Sequence, residues 1–510
     1  MKTEVPHENM RRRGTQSGLL YWMEDVGAAV RKPAGKLDSK TVHDLRVALR
    51  RCRSMADGFR QIDPDKRWKK MRRQGADLFD SLGGLRDIHV MQEWVQKFGA
   101  TGDDATDKLL AYTADKEHIH QQHAAQAIQE FDLKQWNSLA GFLSRRSMRM
   151  RPGSGAFQSL ALEKWTIARK LQNAALRTGN PSAFHRLRIA IKKFRYLVEN
   201  FLPQHKDEWA RSLKEVQDLL GEIHDLDVLW ETGQRIGAFQ FQESRERWES
   251  LIRHEREIRI EQYKTLMMAP DSLWNLWRSG LPRGEDARRA SLMKLQAWSG
   301  FLDSDIRHSR RVARFALRIY DGLNRHHVIK PDSAKWRELL QAAAMVHEVG
   351  RVEHKGNHHK RSERMIAGMD HLPGWSHREV EMMARIARYH RGALPSGDSL
   401  REFLPEQRRS TVLLSGILRL ANALDAGHDG VIHSINVSFS REFVVIWAEG
   451  LQPQSPLAET IASARYLLEV SCGLPIMVQP VRRATRRPAV GNATRAEHRK
   501  SRQVDGTDSD

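Results

Sequence analysis

One stretch of this chain occurs twice, and that fact constrains the fold more than any other. Residues 43–53 read HDLRVALRRCR, and residues 185–195 read HRLRIAIKKFR. The two align without a gap, His43 on His185 and Arg53 on Arg195. On a helix, positions 43, 46, 50 and 53 share one face. In the first copy that face carries His43, Arg46, Arg50 and Arg53. Val42, Leu45, Leu49 and Cys52 fall on the neighbouring face, which can be buried. Each copy is therefore predicted to be a helix that packs on one side and offers a cationic row on the other. The second copy supplies His185, Arg188, Lys192 and Arg195, and the adjacent Arg51 and Lys193 extend the two rows.

A second pair of stretches follows in the same order, LGGLRDIHV at 82–90 and LGEIHDLDV at 220–228. Two motifs repeated in order mean a duplicated unit. These motifs resemble those of the CHAD (conserved histidine α-helical) family. The resemblance implies an all-helical domain of two related bundles around a basic cavity that binds inorganic polyphosphate. Asp87 and Asp225 are expected to position basic residues or to cap helix ends rather than to act as ligands.

Composition agrees with an anionic partner. The chain has 510 residues, with 84 Lys and Arg against 63 Asp and Glu, a net charge of +21. Such a surplus favours nucleic acid, polyphosphate or an acidic membrane surface, and charge alone does not choose among them. Polyphosphate needs only clustered guanidiniums, which fork its oxygens bidentately. Aromatic residues that stack on bases are not interleaved in the motifs apart from Phe194 and Tyr196, so nucleic acid is the less favoured partner. Cys52 and Cys472 are the only cysteines and do not make a disulfide framework, which points to a reducing cytoplasm. The opening MKTEVPHENMRRRG has no apolar run, so no signal peptide is expected. No stretch approaches a membrane span.

Through residue 268 the spacing is helical and strand signals are nearly absent. Turn residues mixed with Trp274 and Trp277 at 270–284 mark a domain boundary, with the tryptophans packed at an interface. Further helices follow. The period then changes at VIHSINVSF (431–439) and FVVIWA (443–448), which read as a hairpin.

Five segments in this second half carry chemistry: DIRHSRRVA (305–313), LLQAAAMVHEVGR (339–351), HHKRSERMI (358–366), IARYHRGALP (386–395) and ILRLANALD (417–425). Imidazoles and carboxylates at helix ends suit a divalent metal. The series resembles the HD-like C-terminal domain of the exopolyphosphatase/guanosine pentaphosphate phosphatase (Ppx/GppA) family. Carried onto this chain, the resemblance makes His308, His347, Glu348 and Asp425 the ligands of a Mn²⁺ or Mg²⁺ ion. It places His359 and His390 in the same cleft, on a second metal or a phosphate, and leaves His347, Glu348 and His390 as the candidates for catalysis. The family dipeptide is His-Asp, whereas this chain has His347-Glu348, so whether the site turns over stays open. The family's actin-like ATPase domain has no counterpart in the pattern before residue 290, where the CHAD-like module stands instead.

The expected fold is mainly α. A flexible segment spans 1–16. A two-bundle, internally duplicated CHAD-like domain covers 17–270, with repeats at about 17–150 and 155–270. An α-helical HD-like domain at 285–482 ends in a small β-hairpin, and a basic disordered tail covers 483–510. The expected function is polyphosphate binding in the cytoplasm, with association with polyphosphate granules and a homodimer through the HD-like domain as further expectations. A metal-dependent phosphohydrolase is the first alternative and a nucleic-acid-associated basic protein the second.

Overall fold

The computed structural model describes residues 18–31, 39–329, 333–352, 356–369, 371–440 and 442–481. The expected flexible N-terminus (1–16) and basic tail (483–510) lie outside these residues.

The first repeat runs through α1 (Gly18–Val30), α2 (Ser39–Phe59), α3 (Lys66–Gln74), α4 (Ala76–Phe98), α5 (Asp104–Gln129) and α6 (Leu133–Ser147). The second runs through α7 (Gly155–Thr178), α8 (Pro181–Phe201), α9 (Pro203–Arg235) and α10 (Gln242–Met268). The two basic motifs lie on α2 and α8, and the two LG motifs lie on α4 and α9. The start of α8 follows from local chemistry. Gly179 closes α7 in the left-handed region, at φ 63°. The Asn180 side chain then caps α8, and Pro181 opens it.

The apolar face read from the sequence is buried as expected: Leu45, Leu49 and Cys52 on α2, and Leu187, Ile191 and Phe194 on α8. One continuous core joins both repeats, from Leu19 to Ala287. The repeats meet where α2 crosses α8. A Cβ on Gly58 would lie 2.3 Å from the Phe201 ring, so only glycine allows this approach. Phe201 also stacks on Phe157, with ring centroids 4.2 Å apart. A smaller cluster around Trp94, Phe98, Phe239 and Trp248 closes the far ends of α4, α9 and α10.

Next come α11 (Leu273–Ser279) and α12 (Gly284–Leu302). Trp274 and Trp277 on α11 are fully packed and belong to the first core. The α12 helix serves both cores: Ala287 joins the first, while Leu295 and Leu302 join the second. From it, Lys294 pairs with the buried Glu163 of α7 at 3.0 Å. The two domains are thus continuous through a shared helix.

The second domain holds α13 (Ile306–Arg325), α14 (Ser333–Val346), a 3-10 turn (Val349–Val352), α15 (His358–Ala367), α16 (His377–Arg388) and α17 (Pro405–Ala423). It ends with β1 (Ser434–Phe439), β2 (Val444–Glu449), α18 (Pro456–Ala464), α19 (Tyr466–Cys472) and β3 (Ile476–Pro480). The hairpin is present, with Ser434 opposite Glu449 and Phe439 opposite Val444. It is part of a three-stranded sheet, because β3 adds parallel to β2. Among the described residues no helix is long and apolar enough to cross a membrane.

Candidate functional site

Two regions concentrate polar chemistry. The first lies where the cationic faces of α2 and α8 meet. Lys192 is largely buried, and burial pushes its ammonium down to about 8, helped by Arg188, Arg50, Arg46 and Arg53. A lysine on α8 thus feels three arginines of α2, and the two rows face one another. Arg46 donates to the carbonyls of Leu82 at 3.0 Å and Gly83 at 3.3 Å, which ties the first motif to the second within its repeat. Asp87 lies near enough to Arg46 to offset part of its burial. Arg53 stacks over Phe79 at 4.5 Å, and its Nη1 is buried with no partner in the chain. In the second repeat, His185 meets His224, the counterpart of Arg86, with Nδ1 atoms 3.4 Å apart. Burial and Arg188 push His224 down to about 4. Burial also raises Asp225 to about 6, against the pull of Arg188.

The second region is a buried knot of imidazoles around Glu348. His347 ends α14, and its Nδ1 donates to the Ala344 carbonyl at 2.8 Å. A carbonyl only accepts, so a neutral ring leaves a lone pair on Nε2. That Nε2 is buried with no hydrogen-bond partner and lies 3.8 Å from Glu348 Oε1. His390 repeats the arrangement: Nδ1 donates to Ala387 at 2.7 Å, and Nε2 sits 3.4 Å from Glu348 Oε1. His358 Nε2 lies 3.1 Å from the same oxygen. Burial pushes His347 down to about 3 and also lowers His390. Burial alone would raise Glu348, but His358 and His390 outweigh it and hold the carboxyl well below the usual range.

Local structure explains this convergence. A Cβ on Gly350 would lie 2.3 Å from the His358 carbonyl oxygen, so glycine is what lets the start of α15 touch the turn after α14. Ser362 locks the contact, accepting from Gly350 N at 2.9 Å and donating to the His347 carbonyl at 2.7 Å. Potential ligand atoms fall into two groups, His308 with His347 and Glu348, and Glu348 with His358 and His390.

Comparison with known proteins follows this division. Residues 23–234 match the family model for the CHAD domain. Residues 288–446 match the model for Ppx/GppA phosphatase, domain III. The chain carries a CHAD domain followed by a Ppx/GppA domain III. It is also similar to the crystal structure of the CHAD domain from the plant Ricinus communis, at 21% identity over 51% of this chain and 87% of that one, with a TM-score of 0.33.

In the CHAD domain, Arg46, Arg50, Arg53, Arg188 and Lys192 gather in one place. His185 stands beside them, and His43 is exposed near the start of α2. Three predicted residues point elsewhere. Arg51 and Arg195 both bind Glu199, at 2.6 and 2.5 Å; the Arg51 bond crosses from α2 to α8 and ties the repeats together, while Arg195 pairs one turn along its own helix. Lys193 lines a separate hollow of about 240 Å³ with Arg60, Arg72 and Lys164. The gapless alignment extends to all three. Arg51 and Lys193 stand one position off the row and rotate away from it, whereas Arg195 is on the row and is taken up by Glu199.

In domain III, His308, His347, Glu348 and His390 converge as expected, and two assignments change. Asp425 is not among the grouped ligands. Its Oδ2 accepts from His308 Nδ1 at 2.8 Å and from Arg311 Nε at 2.9 Å, and its Oδ1 accepts from Gly430 N at 3.2 Å. It therefore orients His308. The knot takes His358 rather than the neighbouring His359, whose ring turns toward Gly392. Burial and Arg388 push His359 down to about 4. Sequence reading also missed Arg351, which pairs with Glu348 at 3.0 Å, and His428, whose ring stacks on His308 at 3.8 Å. Arg351 and His358 stand inside quoted segments, so position in those segments was the available signal.

Proposed function

We propose that this protein binds inorganic polyphosphate through the facing cationic rows of its CHAD domain. The carrying observation is the convergence of Lys192 of α8 with Arg188 and with Arg50, Arg46 and Arg53 of α2; burial first, and these cations after it, push its ammonium down to about 8. Cations packed this closely repel one another, and a dense polyanion removes that cost. Charge-assisted bonds from guanidiniums hold phosphate oxygens without reading any base. The test is titration of long-chain polyphosphate into the full chain and into an Arg50→Gln/Lys192→Gln variant at matched salt. The variant is expected to bind at least about tenfold more weakly and with a shallower salt dependence. Equal affinity would contradict the reading. Equally tight binding of duplex DNA by the unaltered protein would favour a nucleic-acid partner instead.

A second reading, a metal-dependent phosphohydrolase in domain III, is favoured by the orphaned Nε2 of His347. A buried acceptor without a donor costs about 1–3 kcal/mol, and here that nitrogen lies beside a carboxylate oxygen which the Nε2 atoms of His358 and His390 also approach. That donor set, imidazoles with one carboxylate, fits a borderline divalent transition-metal cation such as Mn²⁺ better than Mg²⁺, which favours oxygen ligands. His308, His347 and Glu348 would hold one ion, and His358 and His390 would share Glu348 on its other side. Such an ion supplies Lewis-acid polarisation of a phosphoryl oxygen. The chain's own residues divide the remaining work. Asp425 orients His308, the Ala344 and Ala387 carbonyls fix the His347 and His390 tautomers, and Arg351 steadies Glu348. Phosphate release from polyphosphate with added Mn²⁺, compared with His347→Ala, tests this reading. Release absent from the variant supports hydrolysis, and equal or absent release in both contradicts it.

A further inference from the structure

Between the two domains lies a cleft of about 920 Å³. The CHAD side contributes Trp165 of α7. Arg278, at the end of α11, and Arg288 of the shared helix α12 stand beside it. The domain III side contributes Lys335 and Trp336 of α14 and Trp375 before α16. Neither of the functions argued above uses any of these residues.

Two features of the lining point to a ligand. The first is aromatic surface beside a cation: Trp165 and Trp336 are half-buried, and Arg278 lies 5.7 Å from the Trp165 ring centroid, while Trp375 is buried under Arg288 and backs the cleft. The second is unmet donors. Trp165 Nε1 and Arg288 Nη2 are both buried with no acceptor among the described residues. A buried unpaired donor is costly, so an incoming acceptor has a gain waiting. The carboxylates do little to oppose an anion. Glu379 is held by Arg288 at 2.9 Å, and Glu285 is exposed. Lys335 is exposed beside Trp336.

We propose that this cleft binds a nucleoside phosphate, with its base against the tryptophan wall and its phosphates on Lys335 and Arg278. The base supplies the flat face that tryptophans hold and the ring acceptors that Trp165 Nε1 lacks. Inorganic polyphosphate offers no such face. The volume falls within the range of small-molecule pockets, which suits one nucleotide rather than a strand. Because both domains line the cleft, its occupant contacts the CHAD domain and domain III together.

The test uses the full chain carrying Arg50→Gln/Lys192→Gln, so that the cationic rows do not dominate the signal. ADP is titrated by tryptophan fluorescence and calorimetry, with pyrophosphate as the control that keeps the phosphates and lacks the base. ADP is expected to bind once per chain and at least about tenfold more tightly than pyrophosphate, a difference of about 1.4 kcal/mol. Lys335→Gln, an exposed change that leaves packing alone, and Trp165→Phe, which keeps the ring body and removes the N–H, are each expected to weaken ADP several-fold. Absence of ADP binding, equal binding of pyrophosphate, or ADP affinity unchanged in both variants would overturn the proposal.

Discussion

The cationic rows and the imidazole knot are opposite kinds of unfinished site. In the CHAD domain, positive groups from two helices face each other, and what is missing is negative charge. In domain III, the imidazoles of His347, His358 and His390 converge on the Glu348 carboxylate, which Arg351 also holds. The first site is built from one helical pattern used twice. The second draws on α13, α14, α15 and the end of α16, with no repeat between them. A repeated pattern brings like charges of two helices together, whereas scattered side chains locked by glycine and serine contacts bring imidazoles onto one carboxylate.

That contrast breaks most visibly at the imidazole knot. Mn²⁺ at a hundredfold excess over its dissociation constant is expected to stabilise the folded protein by about 2.7 kcal/mol. His347→Ala should abolish that shift in thermal melts while leaving polyphosphate affinity intact. A shift that survives the substitution would place the ion elsewhere.

Glu199 separates structural cations from ligand-facing ones. Its carboxylate holds Arg51 of the other repeat and Arg195 of its own helix. Hydrogen bonds to charged groups are worth about 1.5–3 kcal/mol, so Glu199→Gln should cost roughly that much in denaturant unfolding. Polyphosphate affinity should stay within about twofold of the starting value, a difference of less than 0.5 kcal/mol. A large loss of affinity would mean that the two arginines belong to the binding groove.

The smallest effect, and the one that sharpens the comparison most, is the pH response of Lys192. Its folded value of about 8 lies below the ordinary 10.5. Between those values the unfolded chain carries the extra proton, so this group makes the free protein more stable as pH rises from 8 to 10.5. Polyphosphate binding needs the proton, so affinity should fall as pH rises through about 8. The two trends have opposite signs, and Lys192→Gln should flatten both. Matched melts and titrations across that range check this.

Much of this was legible in the sequence because it was local. Helical spacing placed Arg46, Arg50, Arg53, Arg188 and Lys192 on ligand-side faces, and Leu45, Leu49 and Cys52 in the core. What periodicity could not show was partnership across the chain. Glu199 captures Arg51 from the other repeat, and Arg311 and His308 occupy Asp425 from more than a hundred residues away. The choice of His358 over His359 was equally hidden. Adjacent residues on a helix point about 100° apart, and only the close approach at Gly350 decides which one enters the knot. The third strand joins the sheet in parallel after two intervening helices, a pairing no local turn signal encodes.

The most direct test of the account asks whether the two rows form one site. Short polyphosphate, too short to bridge separate sites, is titrated calorimetrically into the full chain and into Arg50→Gln and Lys192→Gln, singly and combined. The account predicts one equivalent bound per chain, loss from either single variant, and a double variant weaker by less than the sum of the two losses. Two equivalents per chain, or losses that add without coupling, would contradict it.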